Sequence, residues 1–197
     1  MEAFFDNKTN IINARICAVL DEAVMYTAET KFEFQGRVRT ILLDENPLPG
    51  TGAAGAPAVV GAINWKDKSF EVHGHRRKCA ELRRTTGNLF TKYTRSGLPS
   101  HGFVRKFWRW SAARMEFELS YTHEEWKATI EDGKTIVGRF CVPFRPHLFH
   151  KSKPAVIHLT PTALAEDEVF LLLVFIYEEV KRQDKTNTST PGGTGGW

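Results

Sequence analysis

The sequence has few of the features that mark a secreted, disulfide-stabilised or membrane-spanning protein. Its 197 residues include three cysteines, at positions 17, 79 and 141. An odd number at such wide spacing predicts reduced thiols rather than a disulfide framework. No run of 18 apolar residues occurs, and residues 1–8 are too short of apolar side chains for a signal peptide. We therefore expect an intracellular, soluble protein.

The common catalytic signatures are also missing. The chain contains no G-x-S-x-G, no G-x-x-x-x-G-K and no H-E-x-x-H, which removes the usual signals for a serine hydrolase, a P-loop enzyme or a zinc protease. Carboxylates such as Glu116, Glu118, Glu124 and Glu125 are expected on an exposed strand face, where they serve solubility. The sequence leaves catalysis open, favours a non-enzymatic protein and predicts no cofactor.

Residues 169–177, Val-Phe-Leu-Leu-Leu-Val-Phe-Ile-Tyr, are nine apolar residues in a row. Acids precede them and Lys181 and Arg182 follow, which predicts one helix over about 163–183 with Thr162 as its N-cap. A helix that is apolar all round must be buried on every side. Its nine apolar residues span only about 14 Å, too little for a bilayer core. The alternative is a helix that lies on one sheet and is covered by loops.

Most of the remaining chain shows the period-two alternation of half-buried antiparallel strands. Residues 12–20, 24–34, 37–43, 59–72, 113–121, 126–130, 136–142 and 155–159 predict about ten to twelve strands. The simplest enclosure for the helix is then a mainly β fold, a closed antiparallel β-barrel around it. Residues 44–58, rich in proline and glycine, predict a flexible loop. We expect one domain over 1–184 and a disordered Gly/Thr-rich tail at 185–197.

Positive charge is concentrated in residues 72–109, called here the basic block, which hold ten basic side chains against one acid. Such a block predicts an anionic partner, because arginines bind phosphate oxygens through paired donors. The interleaved aromatics Phe103, Phe107, Trp108 and Trp110 offer stacking surfaces for an interface or for bases. The alternative is a solvated face balanced by acids from elsewhere. The candidate anion-binding residues are Arg76, Arg77, Lys78, Arg83, Arg84, Lys92, Arg95, Arg105, Lys106 and Arg109.

Histidines raise the question of a metal site. His73 and His75 form an H-x-H pair beside Cys79, and a strand would point both rings to one side. His147 and His150 form a second pair. No third and fourth ligand stands at a diagnostic spacing, so no metal site is predicted.

The pattern of many antiparallel strands followed by an apolar C-terminal helix resembles the tubby C-terminal-like fold. Phospholipid scramblases and the plant LURP-one-related proteins share that fold, a twelve-stranded barrel threaded by one helix. The resemblance extends over roughly residues 8–184 and is closest to an uncharacterised group of fungal proteins of that fold. The matching segments are 12–34, Ala62-Ile63-Asn64-Trp65, Arg105-Lys106-Phe107, the hairpin from Tyr121 to Trp126, Val137-Gly138-Arg139-Phe140 and the helix over 170–180.

The resemblance implies a fold more than a function. Tubby proteins bind phosphoinositides through basic residues on the barrel exterior, so it also implies a phosphate-binding surface. The first hypothesis is a non-enzymatic binding module for acidic membrane phospholipids, bound peripherally through residues 76–109. Nucleic-acid binding through the same arginines and aromatics is the second hypothesis. A protein-interaction or structural role, through loop 44–58 and the tail, is the third.

Overall fold

The computed structural model describes residues 1–47, 56–86, 105–130, 133–143 and 153–188. Within those ranges the chain forms thirteen strands and two helices. The first eight strands are β1 (Glu2–Phe5), β2 (Ala14–Ala18), β3 (Val24–Glu33), β4 (Gly36–Asp44), β5 (Ala58–Asn64), β6 (Ser69–Val72), β7 (His75–Lys78) and β8 (Arg83–Thr86). The others are β9 (Arg105–Trp108), β10 (Phe117–Thr122), β11 (Glu125–Ile130), β12 (Thr135–Cys141) and β13 (Val156–Leu159). The helices are α1 (Cys79–Leu82) and α2 (Pro161–Thr188).

All described strands belong to one antiparallel sheet, which confirms a mainly β fold. The strand order is β7-β6-β5-β4-β3-β2-β1-β13-β12-β11-β10-β9-β8. The edge strands, β7 and β8, follow one another in the chain and are joined by the four residues of α1. The hydrogen-bond ladder therefore ends at β7 and at β8. The described sheet is not closed by hydrogen bonds, whereas a closed barrel was predicted. Side chains meet across the gap instead, where Phe70 of β6 stacks on Trp108 of β9 at 5.5 Å between centroids.

The prediction that helix α2 is buried on every side is confirmed. Each residue from 169 to 177 is at most 8% exposed. Strands from both halves of the sheet contact it. A Cβ added to Gly61 of β5 would lie 2.8 Å from Val169, and one added to Gly138 of β12 would lie 3.2 Å from Phe175. The sheet thus approaches α2 from more than one side, and glycine permits the close contact.

The ends of α2 differ from the prediction. Pro161, not residue 163, begins the helix, and the cap is Thr160, whose side-chain oxygen accepts from the Ala163 N–H at 3.4 Å. Proline fits the first helical position because its missing N–H has no partner there. Asp167 leaves helical geometry at φ −152° and ψ 45°, so two helical pieces meet at a kink. The helix continues to Thr188, so residues 185–188 of the predicted tail are helical. The rest of the tail, 189–197, lies outside the described residues.

The strands follow the predicted alternation in their middles and depart from it at their ends. Strand β1 was not predicted, because its four residues are too few to show a period. In β3, Tyr26 and Ala28 face the core as expected, but Phe32 is 48% exposed, and Phe34, just beyond the strand, is fully exposed. Tertiary position rather than periodicity decides their burial, since the β3–β4 hairpin extends past its neighbours.

The predicted loop between β4 and β5 is slightly shorter than 44–58, because Asp44 and Ala58 pair with each other in the ladder. Residues 48–55 of that loop lie outside the described residues. None of the helices in the described part of the chain combines the length and apolar character that a bilayer crossing requires.

Candidate anion-binding surface

The basic block folds into the two edges of the sheet and the helix that joins them. Strand β7 carries Arg76, Arg77 and Lys78, all exposed. Strand β8 carries Arg83 and Arg84, and β9 carries Arg105 and Lys106, with Arg109 just beyond. Eight of the ten candidate residues thus lie on or directly beside β7, β8 and β9. Lys92 and Arg95 lie outside the described residues.

Two of these cations bind a carboxylate of the buried helix. Lys106 Nζ lies 2.5 Å from Glu178 Oε2, and Arg83 Nη1 lies 3.8 Å from Glu178 Oε1. The Glu178 side chain is 2% exposed. A buried carboxylate needs a paired positive charge. Lys106 and Arg83 therefore neutralise Glu178 and are not free to bind a ligand.

Three more cations are paired on the outer surface. Arg84 Nη2 donates to Glu116 Oε2 at 2.7 Å, and Arg105 pairs with Glu118. The Arg84 guanidinium lies 4.2 Å from the centroid of the Phe107 ring. On the far edge, Arg76 pairs with Asp67. Acids from other parts of the chain therefore balance much of the basic block, which agrees with the solvated-face alternative.

Arg77, Lys78 and Arg109 are exposed and have no ion pair among the described residues. They surround α1. Lys78 precedes the helix, and the Arg109 N–H donates to the Leu82 carbonyl at its end, at 2.9 Å. The Arg77 guanidinium lies 5.6 Å from the centroid of Trp110, so it reaches across the gap between the edges. We call these residues the seam cations.

The aromatic rings of the block are mostly inside the fold. Trp108 is 0% and Phe107 9% exposed. Trp108 packs edge-on against Phe170 and Tyr177 of α2, at 6.5 and 5.8 Å between centroids. These two rings are therefore not available to stack on bases. Trp110 is half-buried, and Phe103 lies outside the described residues.

A buried polar network that was not predicted lies at the end of the apolar run. Glu179 is 0% exposed and accepts from Trp126 Nε1 at 2.8 Å. Arg182 donates to both of its carboxylate oxygens, at 2.8 and 2.7 Å, and Gln183 donates at 2.8 Å. The Glu179 hydrogen bond raises the pKa of Arg182, outweighing the opposing effect of burial. The i,i+3 spacing of Glu179 and Arg182 was the one available signal.

A second half-buried polar pair lies near the kink. The Tyr26 hydroxyl donates to Glu168 Oε1 at 2.9 Å. Burial raises the pKa of Glu168, while the hydrogen bond from Tyr26 acts in the opposite direction. Burial and the neighbouring carboxylate raise the pKa of Tyr26 well above its usual value.

The histidines do not form the strand pair considered above. His73 and Gly74 are the two turn residues between β6 and β7, with φ of +47° and +78°, and Val72 pairs with His75. Both histidines are exposed, whereas Cys79 is buried and its pKa is raised by burial. Among the described residues no group of three His, Cys, Asp or Glu side chains is placed to hold a metal ion. His147 and His150 lie outside the described residues.

The described surface also has a cleft of about 320 Å³ on the β2–β3 face, far from the basic block. Its ionisable groups are Asp6, Arg15 and Glu29. Arg15 Nε donates to Asp6 Oδ2 at 2.7 Å, and hydrogen bonds from Arg15 hold the pKa of Asp6 below its usual value although burial opposes this. Asp6 and Arg15 thus satisfy each other, so this pair is not poised to act as a catalytic acid or base.

Residues 50–55, Gly-Thr-Gly-Ala-Ala-Gly, match the G-x-G-x-x-G pattern of dinucleotide sites. That pattern functions between a strand and a helix, but here the element that follows is strand β5. The motif itself lies outside the described residues, and its context does not favour nucleotide binding.

In comparisons with known proteins, no family model, no curated protein and no solved structure matches this chain significantly.

Proposed function

We propose that this protein is a non-enzymatic binding module that engages anionic phosphate groups through the seam cations. The observation that supports this most is the exposure of Arg77, Lys78 and Arg109 without ionic partners among the described residues, around one short helix. Arginine donors match the geometry of phosphate oxygens. Acidic membrane phospholipids, phosphoinositides first, are the proposed ligands.

Fewer residues are proposed to bind phosphate than were candidates in the sequence. Lys106 and Arg83 are assigned to the buried Glu178, and Arg76, Arg84 and Arg105 are each held by a surface carboxylate. Because acids pair with these five cations, they are not the first contacts for a phosphate, and that role is assigned to the seam cations.

We also propose the finer form of the fold, a barrel of the tubby-like kind around α2. Three features support it: strand contacts on several sides of the helix, the stacking of Phe70 on Trp108 across the gap, and the direct chain connection between the two edges. A chain that steps from one edge to the other in four residues keeps those edges close together.

The test is vesicle sedimentation with phosphatidylcholine vesicles, with and without a phosphatidylinositol phosphate. The variant is Arg77→Glu/Lys78→Glu/Arg109→Glu. A matched control, Lys8→Glu/Lys134→Glu/Lys153→Glu, makes the same change in net charge at exposed lysines away from the seam. We expect the seam variant to bind the vesicles at least about tenfold more weakly, since three side chains that would attract phosphate now repel it. The control should lose much less affinity.

Lys106 is left intact in this design because its loss would destabilise the protein, and the destabilisation could be mistaken for a loss of binding. Equal binding by the seam variant and the wild type would refute the proposal. A single-stranded oligonucleotide provides the comparison with nucleic acid. Tight oligonucleotide binding that falls steeply with salt, without preference among vesicles, would favour the nucleic-acid hypothesis instead.

A further inference from the structure

The β3–β4 hairpin projects from the sheet and carries two exposed aromatic side chains at its tip. Strand β2 pairs with β3 only as far as Ala28, and β5 pairs with β4 only as far as Arg39. Beyond those points β3 and β4 pair only with each other in the described ladder. At about 3.3 Å per residue, residues 31–34 carry the tip roughly 10 Å beyond the neighbouring strands. Phe32 is 48% exposed and Phe34 fully exposed.

The tip of this hairpin is held against α2 through Arg37, the ladder partner of Phe32. Arg37 Nη2 donates to both Asp184 oxygens of α2, at 2.5 and 2.7 Å. The same guanidinium lies 5.3 Å from the centroid of Trp65, which stacks on Tyr177 of α2. The two phenylalanines are therefore presented on a rigid support, not on a loose loop. Folding buries neither ring, so their contact surface is available to a partner.

Exposed cations lie at the same end of the sheet as the tip, whose own Lys31 and Glu33 pair with each other. The turn between β5 and β6, at the same end of the sheet, carries Lys66 and Lys68, both exposed and without an ion pair among the described residues. Asp67 between them is paired with Arg76. Lys78, one of the seam cations, pairs in the ladder with Ser69 directly after that turn. Apolar tip and cations thus occupy one end of the sheet.

We infer that the β3–β4 hairpin is a membrane-inserting tip, which places Phe32 and Phe34 among the headgroups of an anionic bilayer while nearby lysines contact the lipid phosphates. Aromatic rings favour the membrane–water interface, and basic side chains favour the surface of acidic lipids. This inference rests on the proposed function for its choice of partner and adds an apolar contact that the seam cations do not provide.

The test compares Phe32→Ser/Phe34→Ser with Val19→Ser/Leu20→Ser in the full chain. Val19 and Leu20 are also exposed, at 48% and 97%, but lie at the opposite end of β3. We expect the tip variant to bind vesicles of phosphatidylcholine and phosphatidylserine at least about tenfold more weakly, because apolar area no longer enters the interface. The Val19/Leu20 control should bind as the wild type does. Phe34→Trp should retain binding.

A soluble inositol phosphate separates the two claims. The tip variant should bind this headgroup as tightly as the wild type, whereas the seam variant should lose it. If the tip variant sediments with vesicles as the wild type does, or if the Val19/Leu20 control falls equally, the inference is overturned while the proposed function stands. If the tip variant loses vesicles and the seam variant does not, the inference stands and the proposed function fails. Unchanged melting temperatures confirm that all variants are folded.

Discussion

Replacing Glu179 by alanine should destabilise this protein far more than replacing any surface acid. The carboxylate is 0% exposed and receives hydrogen bonds from Trp126, Arg182 and Gln183. Its removal leaves the Trp126 N–H and the Arg182 charge without their acceptor inside the fold. Breaking a buried pair in this way costs about 3–5 kcal/mol of the free energy of unfolding.

The physical reason predicts a second, less obvious result. If the cost comes from stranded partners rather than from the lost pair itself, removing the partners too should recover stability. We expect Glu179→Leu/Arg182→Leu/Trp126→Phe to lose less than Glu179→Ala, since apolar replacement of a buried ion pair is often near neutral. A control on the outer surface, Glu116→Ala, breaks only its exposed pair with Arg84 and should cost less than about 1 kcal/mol.

Urea denaturation followed by far-UV circular dichroism measures all of these free energies, with the coupling obtained from a mutant cycle. Two results would refute the reasoning: a loss below about 1 kcal/mol for Glu179→Ala, the range of surface sites, or a triple variant as unstable as the sum of its single changes. Either outcome would mean that water reaches Glu179 and that the end of α2 is not enclosed.

Three further predictions test the packing and charges around α2. Gly138→Val should cost about 2–3 kcal/mol in urea denaturation, because even a Cβ would lie 3.0 Å from a leucine side chain. Lys106→Met should lower the thermal midpoint by several degrees, as Glu178 loses its closest partner, whereas Lys134→Met should leave it unchanged. Burial raises the pKa of Glu168, so its contribution to stability is present at acidic pH and declines as pH rises through that raised pKa. Glu168→Gln should remove this decline, and a pH series of unfolding midpoints that keeps the decline would contradict the assignment.

Part of the fold could be predicted from the sequence because it depends on local pattern. Nine apolar residues without a polar face can only be buried on all sides, and α2 is. Alternation identified the middles of strands such as β3 and β10, where one face meets the core. The ends of the elements were harder to predict from the sequence. Thr160 rather than Thr162 caps α2, and the position of the neighbouring chain decides which of the two threonines does so.

The positive charge of the candidate site could be predicted from the sequence, but the ion pairs within it could not. The concentration of cations in residues 72–109 is a property of the chain itself, whereas their place at the two edges of the sheet is seen only in the structure. Residues far away in the sequence decide which cations remain unpaired. Lys106, for example, pairs with Glu178, which lies 72 positions further along the chain. No local period encodes such a pair.

The sequence by itself determined that an apolar helix must be buried on every side, because the hydrophobic effect acts on composition and periodicity alone. Only the tertiary structure decided that the enclosure extends past the apolar run to cover Glu178 and Glu179, and that Phe34 stands outside it. Burial of a particular side chain depends on how far neighbouring strands extend, and strand register fixes that distance.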